Sequence, residues 1–479
     1  MPKIVYLLEF VWVGLGACSG SAVKDGGNPF DHQGEEIGDG GVDEPDVRGE
    51  DMGPWRGGDA SDDVRGVDGG LDETDEIWRD IQSCDPSRFD RALWRGGWGQ
   101  GWPMERRGMW LFATKFDDAP PMITLVGDMN GWNPNEWPTV RCPDGRRFFV
   151  EVPESAFRRP AIASKYKWFA SHDGSYRPPM EATQYGYDHF GRFGWVRAPL
   201  EHGRLEQYPA FRSRFLDEPR SLRAYLPPGF TPHSPLASRM RTLLLHDGQN
   251  VFHPDAWFGG WRVNERLERL GAQVVAIAVD NASDRMDAYT HVPDDVGMGR
   301  VGGRAEAYLA MLKEEVLPFF RARYGIVAEG ASLAIAGSSL GGLVTLFAAQ
   351  RWVPRFGCAI AMSSTLRWGS FSPSAPRGNT LIELWRGRPL PIYLDHGGDV
   401  DGRCIDGDGD GIEDDARDTD NFCTNRQFLR VLEREGYMVG RDLTYVWARG
   451  APHNESAWAS RIEGALLACA RMGWVAPSP

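Results

Sequence analysis

The sequence predicts an α/β chain. A mostly parallel sheet covered by helices on both faces occupies the C-terminal half, preceded by a small β-sandwich and a disordered tether. Three observations carry this reading. From residue 220 onward, near-continuous apolar runs alternate with helical patterns, as strands buried on both faces require. From Met109 to Val196 the hydrophobic period is mostly two, with turn residues between the runs. The charge is also lopsided: of the net −14, residues 19–80 supply 19 acidic and five basic side chains, while 81–479 holds 47 of each. A neutral body lacks the basic face that nucleic acid requires. Hydrophobic residues at 42% and charged residues at 25% exclude a collagen, a coiled coil and a wholly disordered chain. No apolar run reaches the roughly 18–20 residues of a spanning helix, which excludes a polytopic helical membrane protein.

The first 18 residues read as an export signal. A short charged start at Met1-Pro2-Lys3 leads into the mostly apolar Ile4–Gly16, too short to span a bilayer. It ends Leu15-Gly16-Ala17-Cys18, which resembles a bacterial lipobox and implies lipidation of Cys18, an exported chain and anchorage to the cell envelope. Residues 19–80 include 14 glycines and few large apolar side chains. They cannot bury enough surface to offset ordering entropy, so an acidic, self-repelling linker is expected.

Residues 81–205 are expected to form the sandwich. Strand candidates are Trp110–Ala113, Met122–Val126, Arg147–Val152 and Lys165–Phe169, with turns at Pro143-Asp144-Gly145 and His172-Asp173-Gly174. Val126-Gly127-Asp128-Met129-Asn130-Gly131-Trp132 and Tyr166-Lys167-Trp168 resemble early-set immunoglobulin-like modules of glycogen-binding type. That resemblance makes Trp132, Trp137 and Trp168 candidates for stacking on sugar, although aromatic residues in so small a sandwich are more often core.

Residues 206–479 hold the chemistry. Apolar strands are expected at Arg223–Leu226, Thr242–Leu245, Val274–Val279, Leu333–Ala336, Ala359–Met362 and Pro391–Leu394, with helices at Ala305–Tyr324 and Gly341–Gln350. Gly337-Ser338-Ser339-Leu340-Gly341 joins an apolar strand directly to a helix, the setting of a nucleophile elbow. Ser339 is the candidate nucleophile. His453 follows a strand and precedes the helix Ala457–Ala470, so it is the candidate base, in the order serine, acid, histidine. Six cysteines follow Cys18. Cys404 and Cys423 bracket one loop and form the best disulfide candidate, whereas Cys358 and Cys469 could be buried free thiols.

Four runs, Leu245-His246-Asp247-Gly248-Gln249-Asn250-Val251-Phe252, Asp284–Thr290, the elbow at Ser339 and His453–Trp458, resemble the esterase D family. That family includes enterochelin, feruloyl and acetyl-xylan esterases and mycolyltransferases. The resemblance implies an α/β-hydrolase fold and a serine carboxylic-ester hydrolase needing no catalytic cofactor. Its oxyanion donors would be the backbone N–H groups of Leu340 and Gln249. The third triad member is open. If the helix start near Gln427 fixes the alignment, the acid is Asp420; if the strand end fixes it, the acid is Asp399 or Asp401. Family members without an insertion favour Asp420. The insertion, 399–420, carries acids at alternate positions spaced by glycine and resembles calcium loops of the thrombospondin type 3 or dockerin kind. Asp406, Asp408, Asp410 and Asp414 are the expected ligands of a structural calcium, with a backbone carbonyl near Ile412. The expected substrate is a small-molecule or glycan-linked ester. A catalytically silent glycan-binding lipoprotein and an acyltransferase on the same site are the alternatives.

Overall fold

The computed structural model describes residues 73–476 apart from 255, 257–258, 298, 353–355 and 373–376. The expected signal segment with Cys18, and the linker as far as residue 72, lie outside the described residues. The described chain opens with two helices, Glu73–Gln82 and Pro86–Trp98, so residues 73–80 are helical rather than part of a disordered linker. Ile77, Trp78 and Ile81 are all buried; their helical spacing is the signal that the acidic composition concealed. Asp85 caps the second helix by accepting the Arg88 N–H at 2.9 Å. Pro86 sits in the first turn, where no backbone N–H is needed.

Nine strands follow: β1 Met104–Arg106, β2 Met109–Lys115, β3 Ile123–Gly127, β4 Val140–Arg141, β5 Arg147–Pro153, β6 Lys165–Ala170, β7 Ser175–Arg177, β8 Gln184–Asp188 and β9 Gly191–Trp195. β1, β2, β5 and β4 form one antiparallel sheet, and β3, β6, β7, β9 and β8 belong to a second. Trp110, Phe112, Phe148 and Val150 of the first share a core with Leu125, Tyr166 and Trp168 of the second. The opposite face of β2, Leu111 and Ala113, packs on Ile77, Ile81 and Phe89 of the helices. β2 is therefore buried on both faces, which is why its sequence does not alternate cleanly.

The second half contributes β10 Arg204–Phe211, β11 Arg220–Leu226, β12 Arg241–Leu245, β13 Val274–Val279, a ribbon of β14 Pro293–Asp295 and β15 Arg300–Gly302, β16 Gly330–Ser338, β17 Phe356–Met362, β18 Ile392–His396 and β19 Leu443–Trp447. Their order across the sheet is β10-β11-β13-β12-β16-β17-β18-β19. Pairing is parallel from β13 to β19, and β11 is antiparallel to both neighbours. β10 also pairs with β8 through Leu205↔Tyr185 and Glu206↔Gln184, so both halves share one 13-stranded sheet. Glu206 anchors the junction, accepting from Gln184 Nε2 at 3.1 Å, Tyr208 Oη at 2.9 Å and Tyr324 Oη at 2.8 Å.

The helix expected over Ala305–Tyr324 is interrupted: a π turn at Leu312–Val316 separates Ala305–Met311 from Leu317–Tyr324. Pro318 explains the widening, because its ring cannot sit against the carbonyl four residues earlier in a regular α-helix. Three disulfides join Cys84–Cys142, Cys358–Cys469 and Cys404–Cys423. Cys358 and Cys469 are thus paired rather than free. β17 and the last helix, Glu455–Met472, pack together and bring their Cα atoms to 5.6 Å.

Two expectations follow. Replacing Cys358 and Cys469 together by Ala reopens a loop of 111 residues and should cost up to about 4–5 kcal/mol, read as a lower midpoint in non-reducing thermal unfolding. Glu181 accepts from Trp168 Nε1 at 2.8 Å and Thr114 Oγ1 at 3.1 Å, and burial lifts its carboxyl to about 7 from 4.5. A raised folded-state value favours the protonated form. The cost of charging is absent below 4.5, grows as pH rises to about 7 and persists above. Urea unfolding of Glu181→Gln should show stability relative to wild type increasing across that window.

Candidate active site

Ser339 lies between β16 and the helix Leu340–Arg351 with φ 57° and ψ −124°. Its N–H donates to Met362 O at 3.0 Å, and its carbonyl accepts from Thr365 N at 3.1 Å and Leu343 N at 3.1 Å. The flanking glycines are required by close approach. A Cβ on Gly337 would stand 2.4 Å from Gly341 O, and one on Gly341 would stand 3.1 Å from Asp247 Oδ2. Ser339 Oγ lies 3.3 Å from Thr365 Oγ1.

His453 follows β19 and precedes the helix Glu455–Met472. Its Nδ1 is 2.6 Å from Asp420 Oδ1, and its ring meets Trp458 edge-on at 5.0 Å between centroids. Asp420 has φ 55° and stands just before the helix Phe422–Arg434, which starts five residues earlier than the Gln427 expected. Asp420 Oδ2 accepts from Ser363 Oγ at 2.8 Å and from the Gly397 N–H. Burial alone would raise this carboxyl, but the bonds from His453, Ser363 and Gly397 outweigh it and hold the group below its ordinary value. An ionised Asp420 fixes the proton of neutral His453 on Nδ1 and leaves the lone pair on Nε2.

Asp399 takes a different place. It is half-buried with its side chain 44% exposed, and its carboxylate accepts from Arg449 Nε at 3.1 Å and Val400 N at 2.9 Å. Asp401 is exposed. Asp395, at the end of β18, pairs in the core with Arg461 Nε at 2.9 Å and accepts from Tyr393 Oη at 3.0 Å. Burial lifts it to about 6 against the pull of Arg461.

Sequence reading missed Ser363. Its Oγ accepts from Trp458 Nε1 at 2.9 Å and Arg461 Nη2 at 3.2 Å, and donates to Asp420. The polar triplet Ser363-Ser364-Thr365 after the apolar β17 was the available signal. Ser339, Ser363, Gly397 and His453 therefore follow the carboxyl ends of four adjacent strands, β16 to β19, and Asp420 is drawn back to that edge.

Leu340 is the first residue of its helix, and Gln249 lies in the first turn of the helix Gly248–Val251. Backbone N–H groups there have no acceptor within the helix. Asp247, at φ 56°, accepts from Arg285 Nε at 2.8 Å and Nη2 at 2.9 Å and from Asn281 Nδ2 at 2.5 Å. Gln249 Oε1 accepts the Asn281 N–H at 3.1 Å. His246 is buried against Tyr308 Oη at 2.9 Å, and burial lowers it to about 4.

In the acidic loop, carboxylate oxygens of Asp406, Asp408 and Asp415 lie within 4.8 Å of one another. Asp414, expected in that set, turns inward instead, to Arg367 Nε and Ser370 Oγ at 3.3 Å each. Asp410 Oδ1 accepts the Ile412 N–H at 2.7 Å. The sugar-stacking candidates separate likewise. Trp168 is fully buried, which removes it from that role, and Trp137 packs on Phe157 at 5.6 Å. Trp132 is half-buried, 6.3 Å from the exposed Tyr176.

The strand order and the elbow place the second half among the esterase-like α/β folds. The family model described as "Putative esterase" matches residues 213–468, more than half of the sequence. The chain belongs to that family, whose members are carboxylic ester hydrolases. Solved structures similar to it include a ferulic acid esterase, at 16% identity and a TM-score of 0.40 over 56% of this chain and 99% of that one. The enterobactin esterase FES from Shigella flexneri shows 14% identity and a TM-score of 0.39 over 77% of this chain and 95% of that one. The siderophore hydrolase EstA from Aspergillus nidulans shows 17% identity and a TM-score of 0.40 over 55% and 94%. No curated protein matches the sequence.

Ser363→Ala removes a hydroxyl donor from the Asp420 carboxylate. Such bonds to charged groups contribute about 1.5–3 kcal/mol, so ester turnover should fall by about 10- to 150-fold. Asp420→Asn should cost at least as much and Asp399→Asn little, measured on one chromogenic ester. An inactive Asp399→Asn beside an active Asp420→Asn would reverse the choice of acid.

Proposed function

We propose that the chain is a serine hydrolase of carboxylic esters working through an acyl-enzyme, with Ser339 as nucleophile, His453 as base and Asp420 as acid. The observation that carries this is the 2.6 Å bond between Asp420 and His453, at the same sheet edge as the strained Ser339. His453 Nε2 takes the Ser339 proton as Oγ attacks the ester carbonyl. The N–H groups of Leu340 and Gln249 hold the oxyanion. The alcohol leaves with the proton from His453. Water, deprotonated by the same nitrogen, then attacks the acyl-enzyme and releases the acid. The substrate class is a small-molecule or glycan-linked ester.

Three further assignments belong to this reading. The two-sheet region is an early-set immunoglobulin-like module that shapes the site entrance rather than holding sugar, as the burial of Trp168 and the packing of Trp137 favour. A structural calcium is held by Asp406, Asp408 and Asp415, acids that would otherwise repel and that suit a hard cation. The chain is exported and anchored through a lipid on Cys18. Three disulfides accord with an oxidising compartment.

Ser339→Ala should abolish both ester hydrolysis and covalent labelling by a fluorophosphonate while the fold is retained; labelling at the wild-type rate would remove the assignment. Chelation should lower the melting temperature of the wild type and leave Asp406→Ala/Asp408→Ala unchanged. Equal responses of the two proteins would reject the calcium. Cys18→Ala should leave the membrane fraction, and retention there would reject the anchor.

A further inference from the structure

His453, Asn454 and Glu455 are consecutive, and each does something different. His453 bonds Asp420. Asn454 caps the helix Glu455–Met472, its Oδ1 accepting the Ala457 N–H at 3.0 Å. Glu455 turns across to another element: its Oε1 accepts from Asn250 Nδ2 at 3.0 Å. Asn250 lies beside Gln249 in the one-turn helix Gly248–Val251 of the loop after β12, and its backbone is fixed at both ends. Its N–H donates to Asp247 O at 2.9 Å and its carbonyl accepts from Trp261 N at 2.9 Å. On its far side the loop is held by Asn281 and Arg285 through Asp247.

Glu455 is 6% exposed. A glutamate is rarely so buried, and a carboxyl removed from water needs a specific partner. The charged groups that act on it are Asp247, which opposes its ionisation, and Arg285, which favours it; burial is the largest influence and lifts it to about 7.

We propose that Glu455 is a positioning residue which, through Asn250, ties the loop bearing the Gln249 N–H to the segment bearing His453. This rests on the serine hydrolase reading above. Acylation and deacylation both pass through an oxyanion, so loosening the tie slows both steps together. Turnover then falls while KM stays. A residue that only stabilised the fold would lower the melting temperature and leave both constants of the folded enzyme in place.

The test uses the full chain with p-nitrophenyl acetate and a fluorophosphonate. Glu455→Ala and Asn250→Ala should each lower kcat by about 10- to 100-fold with KM within about twofold, less than the roughly 100- to 1,000-fold of an oxyanion donor removed outright, because the N–H is displaced and not deleted. The double variant should be no slower than either single one. Glu455→Gln keeps the oxygen that accepts from Asn250 and should stay within about threefold of wild type. Wild-type kcat in Asn250→Ala, losses that multiply in the double variant, or a Glu455→Gln as slow as Glu455→Ala would each overturn the tie. Should Glu455→Ala fail to fold, Asn250→Ala and Glu455→Gln still decide. Failure of the underlying reading is separate: it would appear as fluorophosphonate labelling that survives Ser339→Ala.

Discussion

Ser339 is held at φ 57° and ψ −124°, a region an L-residue occupies only when its surroundings over-determine it. Here they do. Met362 accepts its N–H, Thr365 and Leu343 donate to its carbonyl, and glycines at 337 and 341 remove the two side chains that would collide. The restraints come from β16, β17 and the helix between them, all almost wholly buried. The strain is therefore held by buried, regularly bonded elements, which present the hydroxyl at the carboxyl edge of the sheet.

Behind that edge, two buried carboxylates are kept different by their partners. Asp395 meets Arg461 and Tyr393, and burial dominates, leaving it raised to about 6. Asp420 accepts from His453, Ser363 and Gly397, and these donors reverse the effect of burial. Ser363 couples the two sites, since its Oγ accepts from Arg461 Nη2 and donates to Asp420. A buried ion pair such as Asp395–Arg461 gains little net stability over apolar packing. Its evident service is orientation: Arg461 and Trp458 together set the direction of the Ser363 hydroxyl, and hence of Asp420.

The N-terminal region is continuous with the hydrolase sheet through β8 and β10. Its Tyr187 also meets His253, in the segment that follows the Gln249 loop, at 4.5 Å between rings. The helix Pro86–Trp98 also reaches the second half through Trp98, 5.1 Å from Phe319 and 5.4 Å from Tyr208. Shared backbone pairing and aromatic contact join the regions more firmly than a linker would.

Local chemistry was legible in the sequence alone. Gly337-Ser338-Ser339-Leu340-Gly341 between an apolar strand and a helix reports an elbow, because the turn brings the backbone of residue 341 onto residue 337 and leaves room there for glycine alone. The alternation of buried strands and helices, and the place of His453 after the last strand, are likewise properties of short segments. What the sequence could not decide are partnerships over distance. Asp420 and Asp399 flank one insertion and look equivalent in the chain; only the bonds from Gly397 and Ser363 return Asp420 to the sheet edge, while Asp399 faces solvent and Arg449. Cys358 and Cys469 stand 111 residues apart and meet because β17 packs on the last helix. Asp414 and Asp415 are neighbours, and the buried Arg367 contact draws one inward while the other stays with the acidic cluster. Backbone conformation depends on adjacent residues and is written locally; the choice among identical side chains depends on packing between distant segments, which leaves no local mark.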